Sequence, residues 1–275
     1  MRKLDFTDHR RELDENRYVY AVVSRRARGL SIGVNLNPDK VCNFDCPYCQ
    51  VDRTGPKPDG SVVVADLGRE LDRLLTLAAG DLWSAPPFDT VAPELRRVAD
   101  VAFAGDGEPT SPPEFGEAAR TARGLVDAAA LRAPLRLLTN ATLLHRPAVI
   151  EALPCFDELW CKLDAGTEAY FRRVDGTTFP FSRVLKNLEQ TAVARPITVQ
   201  SMFLSLDGAG PDEHEIDAWA DRLRHILDAG GRIAQVQVYT VARRPASPAV
   251  QPLPRARLEE IAARVPAGVP VDVQG

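Results

Sequence analysis

The chain has 275 residues, 45% of them hydrophobic and 26% charged, the composition of a soluble globular protein able to form one barrel-sized domain or two small ones. Its 34 basic and 38 acidic residues leave a net charge of −4, which argues against capture of nucleic acid by a basic surface, and nucleic acid is not indicated as a partner. No apolar run approaches the roughly 18 residues of a membrane span, and the charged residues 1–16 lack the apolar stretch of a secretion signal, so no membrane partner and a cytoplasmic location are expected.

In chain order, residues 1–29 read as an N-terminal segment. Residues 30–36 alternate, with Ile32, Val34 and Leu36 on one face and Ser31, Gly33 and Asn35 on the other, which predicts a strand. A cysteine-bearing loop follows. Leu67, Leu71, Leu74 and Leu75 then predict a helix over 66–79. The unit recurs: strand 101–104 with helix 113–130, strand 135–139 with helix 147–153, and strand 158–163 with helix 184–194. Strand 197–204 is followed by helix 212–229, and strand 233–241 by helix 255–264. Six strand–helix units without hairpin turns between strands imply a parallel α/β sheet, too short for a closed eight-stranded barrel. A doubly wound open sheet and a partly open barrel both satisfy this count. Parallel strands buried on both faces are normally apolar throughout, yet Asn35, Lys162, Asp164, Gln200, Gln235, Gln237 and Tyr239 place polar groups on one face. That tilts the choice toward a barrel whose lumen holds a ligand. The expected organisation is a single domain over 1–275, with the partial barrel core at 30–244 and a C-terminal helix and tail at 245–275.

Five cysteines are too few and too unevenly spread for a disulfide framework. Three fall within eight residues: Cys42, Cys46 and Cys49. Three thiolates on one short loop can hold three irons of a [4Fe–4S] cluster, leaving the fourth iron open for chemistry. Two other readings compete. Cys46-Pro47-Tyr48-Cys49 alone matches a dithiol motif of a thiol–disulfide oxidoreductase, although Cys42 then has no task. A non-catalytic iron–sulfur or zinc protein is the third, with His145 or Cys155 as a distant fourth ligand. Cys161 alternates with Leu159 and Leu163, so it and Cys155 read as buried small hydrophobes.

The spacing Cys42-x3-Cys46-x2-Cys49, with Tyr48 before the last cysteine, resembles the signature of the radical S-adenosylmethionine (SAM) superfamily. Gly105-x-Gly107-Glu108-Pro109-Thr110, Leu138-Thr139-Asn140, Lys162-Leu163-Asp164-Ala165 and residues 238–243 resemble the branch that includes wyosine-forming tRNA enzymes. The resemblance implies a partial (β/α)6 TIM-type barrel, one [4Fe–4S] cluster on Cys42, Cys46 and Cys49, and SAM chelating the remaining iron. It places Tyr48 near the adenine. It places Gly105, Asp106, Gly107, Glu108 and Pro109 at the SAM amino group, where glycines allow close approach. Asp106 stands where the general superfamily pattern has glycine. Asn140, Lys162, Asp164 and Gln200 are further candidates for binding SAM or substrate. Lys162 and Asp164 share strand parity and are expected to point into the lumen. The implied chemistry is reductive cleavage of SAM to a 5′-deoxyadenosyl radical that abstracts hydrogen from an unidentified substrate, with a reductant such as flavodoxin or ferredoxin. No cysteine precedes Cys42, so the second cluster of the wyosine-forming enzymes is not expected, and tRNA modification is not assigned. Arg243 and Arg244, past the last strand, suit an anionic substrate group or a solvated loop equally. Arg25, Arg26 and Arg28 suit ion pairs. The four histidines show no metal spacing.

Overall fold

The computed structural model describes residues 3–5, 13, 15–24, 27–53, 57, 59–129, 131–242 and 247–275. Arg25, Arg26, Arg243, Arg244 and His9 lie outside the described residues. The chain divides into two compact units, one of residues 1–41, 56–138 and 146–158, the other of residues 42–55, 139–145 and 159–275.

In the first unit, β1 (Val19–Ser24) runs antiparallel to β2 (Gly29–Val34), which pairs in parallel with β3 (Val98–Phe103), and β3 pairs in parallel with β4 (Leu135–Thr139). The N-terminal segment thus contributes a strand, β1, ahead of the one that the sequence analysis places first. Residues 19–23 are apolar without a break and buried, the pattern of a strand covered on both faces. Helix α1 (Val64–Ala79) buries the Leu67, Leu71, Leu74 and Leu75 stripe and packs on α2 (Phe115–Ala128), which packs on α3 (Pro147–Ala152). The buried stripe of α2 includes Ala118, Ala119 and Ala122, whose small side chains permit close helix contact. Glu70 of α1 accepts the N–H groups of Arg17, Tyr18 and Val19 at 2.8–2.9 Å, tying the helix to the start of β1. The Tyr20 ring lies across Gly33, where a Cβ would come within 2.0 Å of it, and its hydroxyl donates to the Ala104 carbonyl at 2.9 Å. That contact fixes the chain just before Gly105.

The second unit holds four parallel strands in the order β5 (Glu158–Lys162), β6 (Ile197–Met202), β8 (Ile233–Tyr239) and β10 (Val271–Gln274). A small antiparallel pair, β7 (Leu204–Leu206) with β9 (Val250–Pro252), stands apart from them. Helices α4 (Glu168–Val174), α5 (Phe181–Ala194), α6 (Glu213–Asp228) and α7 (Arg255–Ala262) complete it. Two faces of the four strands differ sharply. Cys161, Val199 and Val236 form one register row, all fully buried, and on the same side Trp219 of α6 donates its indole N–H to Ser201 at 3.0 Å. The opposite side carries a polar row in register: Lys162, Gln200, Gln237 and Asp272. Cys161 is buried as its parity predicts, whereas Cys155 is only half-buried, at the end of a short turn of 3-10 helix. His214 and His225 are exposed. Among the described residues, no helix is long and apolar enough to cross a membrane.

Candidate functional site

The cysteine loop belongs to the second unit and is held there by side chains that surround it on sequence-distant segments. Asn43 is its anchor. Its amide donates to the Thr142 hydroxyl at 2.7 Å, its amide oxygen accepts from Asn140 at 2.6 Å, and its carbonyl accepts from the Thr177 hydroxyl at 3.1 Å. Segment 139–145 is itself secured by the buried Asn187 of α5, which donates to the Ala141 and Thr142 carbonyls at 2.8 and 3.0 Å. At Gly176 the chain turns with φ +58°, and an added Cβ would sit 2.1 Å from the Asp45 carbonyl. Only glycine allows both that backbone angle and that approach. Phe44 packs edge-on against Phe171 at 5.5 Å.

Each of the three loop sulfurs has an N–H neighbour. The Phe44 backbone N–H points at Cys42 Sγ (3.5 Å), Lys162 Nζ at Cys46 Sγ (3.2 Å), and Arg53 Nη1 at Cys49 Sγ (3.1 Å). Around Cys46 the donors and acceptors form one buried cluster. Lys162 Nζ lies 3.0 Å from Asp175 and 3.4 Å from Asp164, and both carboxylates are almost fully buried. The Tyr48 hydroxyl donates to Asp164 and lies 3.4 Å from Asp175, while Asp164 also accepts the Met202 N–H at 2.8 Å. The ammonium stands over the Tyr48 ring at 4.7 Å, a cation–π contact.

The charges in this cluster follow from burial and pairing. Burial opposes a charged Lys162, but Asp175, Cys46 and Asp164 outweigh it and hold the ammonium protonated well above its ordinary range. Burial pushes Asp175 up to about 6, with Lys162 pulling the other way. The Cys46 thiol is pushed up to about 12, chiefly by burial, and the same cause raises Tyr48. A dithiol oxidoreductase activates its attacking thiol at a helix N-terminus. Here residues 41–53 contain no helix. Among the described residues, no three His, Cys, Asp or Glu side chains converge closely enough to hold a single metal ion.

The geometry brings together Cys46, Tyr48, Lys162 and Asp164 of the expected set. It joins Asn140 to the same loop through Asn43. Gln200 sits beside Lys162 in register, and its amide donates to Gln237 at 2.8 Å. Sequence reasoning missed Asp175, Arg53 and Asn43. Asp175-Gly176 directly after a short helix was the available signal for the first. Arg53 and Asn43 carried none.

Gly105, Asp106, Gly107, Glu108 and Pro109 lie in the first unit, after β3. Asn35 organises them: its amide oxygen accepts the Asp106 N–H at 3.1 Å, and its amide donates to the Asp106 carboxylate at 2.8 Å. The aspartate in place of the family's glycine therefore has a local partner. A Cβ at Gly105 would meet Asn35 Oδ1 at 2.2 Å, and one at Gly107 would meet the Val41 carbonyl at 2.0 Å, the residue preceding Cys42. Glu108 is buried and bonded to Thr110 at 2.5 Å. Its carboxylate shapes the loop.

A family model of the radical SAM superfamily matches residues 36–220, well over half of the chain, and the chain belongs to that superfamily. Among curated relatives, a UPF0026 protein of Methanocaldococcus jannaschii is 24% identical over 156 residues, 57% of this chain and 43% of that protein. A UPF0026 protein of Helicobacter pylori is 24% identical over 231 residues, 82% of this chain and 66% of that protein. The corresponding figures for one of Synechocystis are 28% over 196 residues, 68% and 64%. The chain thus spans 43% to 66% of the length of these relatives. Solved structures similar to it include SuiB of Streptococcus suis bound to S-adenosylmethionine, with a TM-score of 0.57 at 14% identity over 91% of this chain and 52% of that one. TYW1 with a lysine–pyruvate adduct bound has a TM-score of 0.57 at 15% identity, covering 94% of this chain and 86% of that one. At this identity the likeness defines the fold, an α/β partial TIM-type barrel of mostly parallel strands.

Proposed function

We propose that the protein is a radical SAM enzyme that holds one [4Fe–4S] cluster on Cys42, Cys46 and Cys49 and cleaves SAM reductively to abstract hydrogen from an unidentified substrate. The observation that carries this reading is the loop itself: three thiols, each facing an N–H donor, two of those donors cationic. Such a donor set suits thiolate ligands, whose negative charge the neighbouring N–H groups stabilise. When bound, the cluster would deliver one electron to SAM, and the carbon–sulfur cleavage that follows would provide the hydrogen-abstracting species.

The chain's own residues position and shield. Asn43, Asn140 and Thr142 fix the loop that carries the ligands. Lys162, held between Asp164 and Asp175, keeps its ammonium at Cys46 and beneath Tyr48. Asp164 orients the Tyr48 hydroxyl, so Tyr48 can offer its ring to an adenine in one fixed pose. Gly105, Asp106, Gly107, Glu108 and Pro109 would present backbone oxygens to the SAM amino group. Gln200, with Gln237 beside it, would contribute amide groups to the ligand-facing side of the strands. The lysine–pyruvate adduct in the similar TYW1 structure raises a second use for Lys162. An ammonium paired with two buried carboxylates is a poor nucleophile, which favours a positioning role instead. The reductant is proposed to be a flavodoxin or ferredoxin.

Anaerobic reconstitution tests the proposal. The expected result is about four irons and four sulfides per chain, lost in each of C42A, C46A and C49A and kept in C155A and C161A. Equal iron in the parent and the three loop variants would overturn it.

A further inference from the structure

Arg53 is a cationic donor at a loop sulfur that the sequence motif does not mark. Its guanidinium reaches back four residues to place Nη1 3.1 Å from Cys49 Sγ. Lys162 makes the equivalent contact at Cys46, but it is bound into a cluster with two buried carboxylates. At Cys42 the donor is an uncharged backbone N–H at 3.5 Å. Arg53 is half-buried, so water screens its charge only partly. An arginine stays protonated throughout the working pH range. It therefore presents the sulfur with both a fixed positive charge and a hydrogen bond.

We infer that Arg53 is a positioning residue that sets the reduction potential of the cluster by donating a charged hydrogen bond to Cys49. The inference rests on the proposed ligation by Cys42, Cys46 and Cys49. Gaining an electron makes a thiolate-bound cluster more negative, and that extra charge accumulates partly on the ligating sulfurs. A cation and a hydrogen bond at one sulfur stabilise the reduced form more than the oxidised form, which raises the potential. Asp45, an exposed carboxylate of the same loop, also acts on Arg53 electrostatically. Solvent weakens that longer-range effect relative to direct contact with the sulfur.

The test is a redox titration of the reconstituted full-length chain followed by the electron paramagnetic resonance of the reduced cluster, with iron counted for each variant. Arg53→Gln keeps an N–H donor and removes the charge; Arg53→Lys keeps the charge. Both are expected to hold the parent's iron. R53Q should shift the midpoint to a more negative value, so that well under half of its cluster is reduced at the parent's midpoint, and R53K should recover most of that shift. A midpoint in R53Q equal to the parent's would overturn the inference, as would R53K shifting as far as R53Q. Loss of iron from R53Q with retention in R53K would also overturn it, by showing that Arg53 serves assembly instead. A parent that binds no cluster would instead defeat the proposed function, and the iron count distinguishes the two failures.

Discussion

Substituting Lys162 by Met removes the only cation within 4 Å of Asp175 and Asp164 among the described residues. The two carboxylates are 1% and 0% exposed. Asp164 keeps its bonds from Tyr48 and the Met202 N–H. Among the described residues, Asp175 keeps a thiol at 3.7 Å and the Tyr48 hydroxyl at 3.4 Å. Removing one partner of a buried pair costs about 3–5 kcal/mol, because an uncompensated charge stays behind. For 275 residues at about 2.1 cal/mol/K of unfolding entropy each, that corresponds to a fall in Tm of roughly 5 to 9 °C. The deficit should depend on pH in a definite direction. Burial already raises Asp175 to about 6 while Lys162 lowers it, so without the lysine it rises further. The unfolded carboxyl releases its proton near pH 4, whereas the folded K162M chain retains it to higher pH. Stability of the variant therefore declines as pH rises from about 4 through the folded value, and the deficit shrinks in acid. Urea unfolding of the iron-free parent and K162M under anaerobic conditions, at pH 5 and pH 8, measures both effects. Adding Asp175→Asn to K162M should recover part of the loss at pH 8. A K162M deficit below about 1 kcal/mol at pH 8 would refute the ion-pair account and favour a Lys162 reserved for ligand.

Tyr48→Phe should keep the cluster and lose about 1–3 kcal/mol, since Asp164 forfeits a buried hydrogen bond; unchanged unfolding midpoints would contradict this. Gly107→Ala forces a Cβ to within 2.0 Å of the Val41 carbonyl, so SAM binding should weaken at least tenfold by calorimetry while α-helical content stays native. Parent-like SAM affinity in that variant would remove Gly107 from the site. Cys161→Ala should retain iron and cost about 1 kcal/mol in urea unfolding, as loss of a small buried hydrophobe does.

Much of the parallel framework was legible because most of the longer strands announce themselves by composition and most of the longer helices by their apolar spacing. β4 falls where the sequence places it, and the Leu67–Leu71–Leu74–Leu75 stripe defines α1. β1 escaped notice because its apolar run is flanked by charged residues and lacks alternation. β10 is four residues long, and its polar Asp272 and Gln274 look like a tail until register places them beside Gln237 and Tyr239. At the site, local spacing identified the three loop cysteines, and strand parity paired Lys162 with Asp164. Parity could not show that both are engaged with Asp175, which lies on a different element and meets them only through the fold. The same holds for Asn43, whose partners Asn140, Thr142 and Thr177 are about a hundred residues away or more in the chain.

The central claim is tested most directly by incubating the anaerobically reconstituted protein with SAM and dithionite and quantifying 5′-deoxyadenosine and methionine. The account predicts that both form in equal amounts, that neither forms when any one of Cys42, Cys46 and Cys49 is replaced by Ala, and that the yield follows iron content across variants. Absence of 5′-deoxyadenosine from a parent carrying about four irons per chain, or its persistence in C46A, would contradict the account.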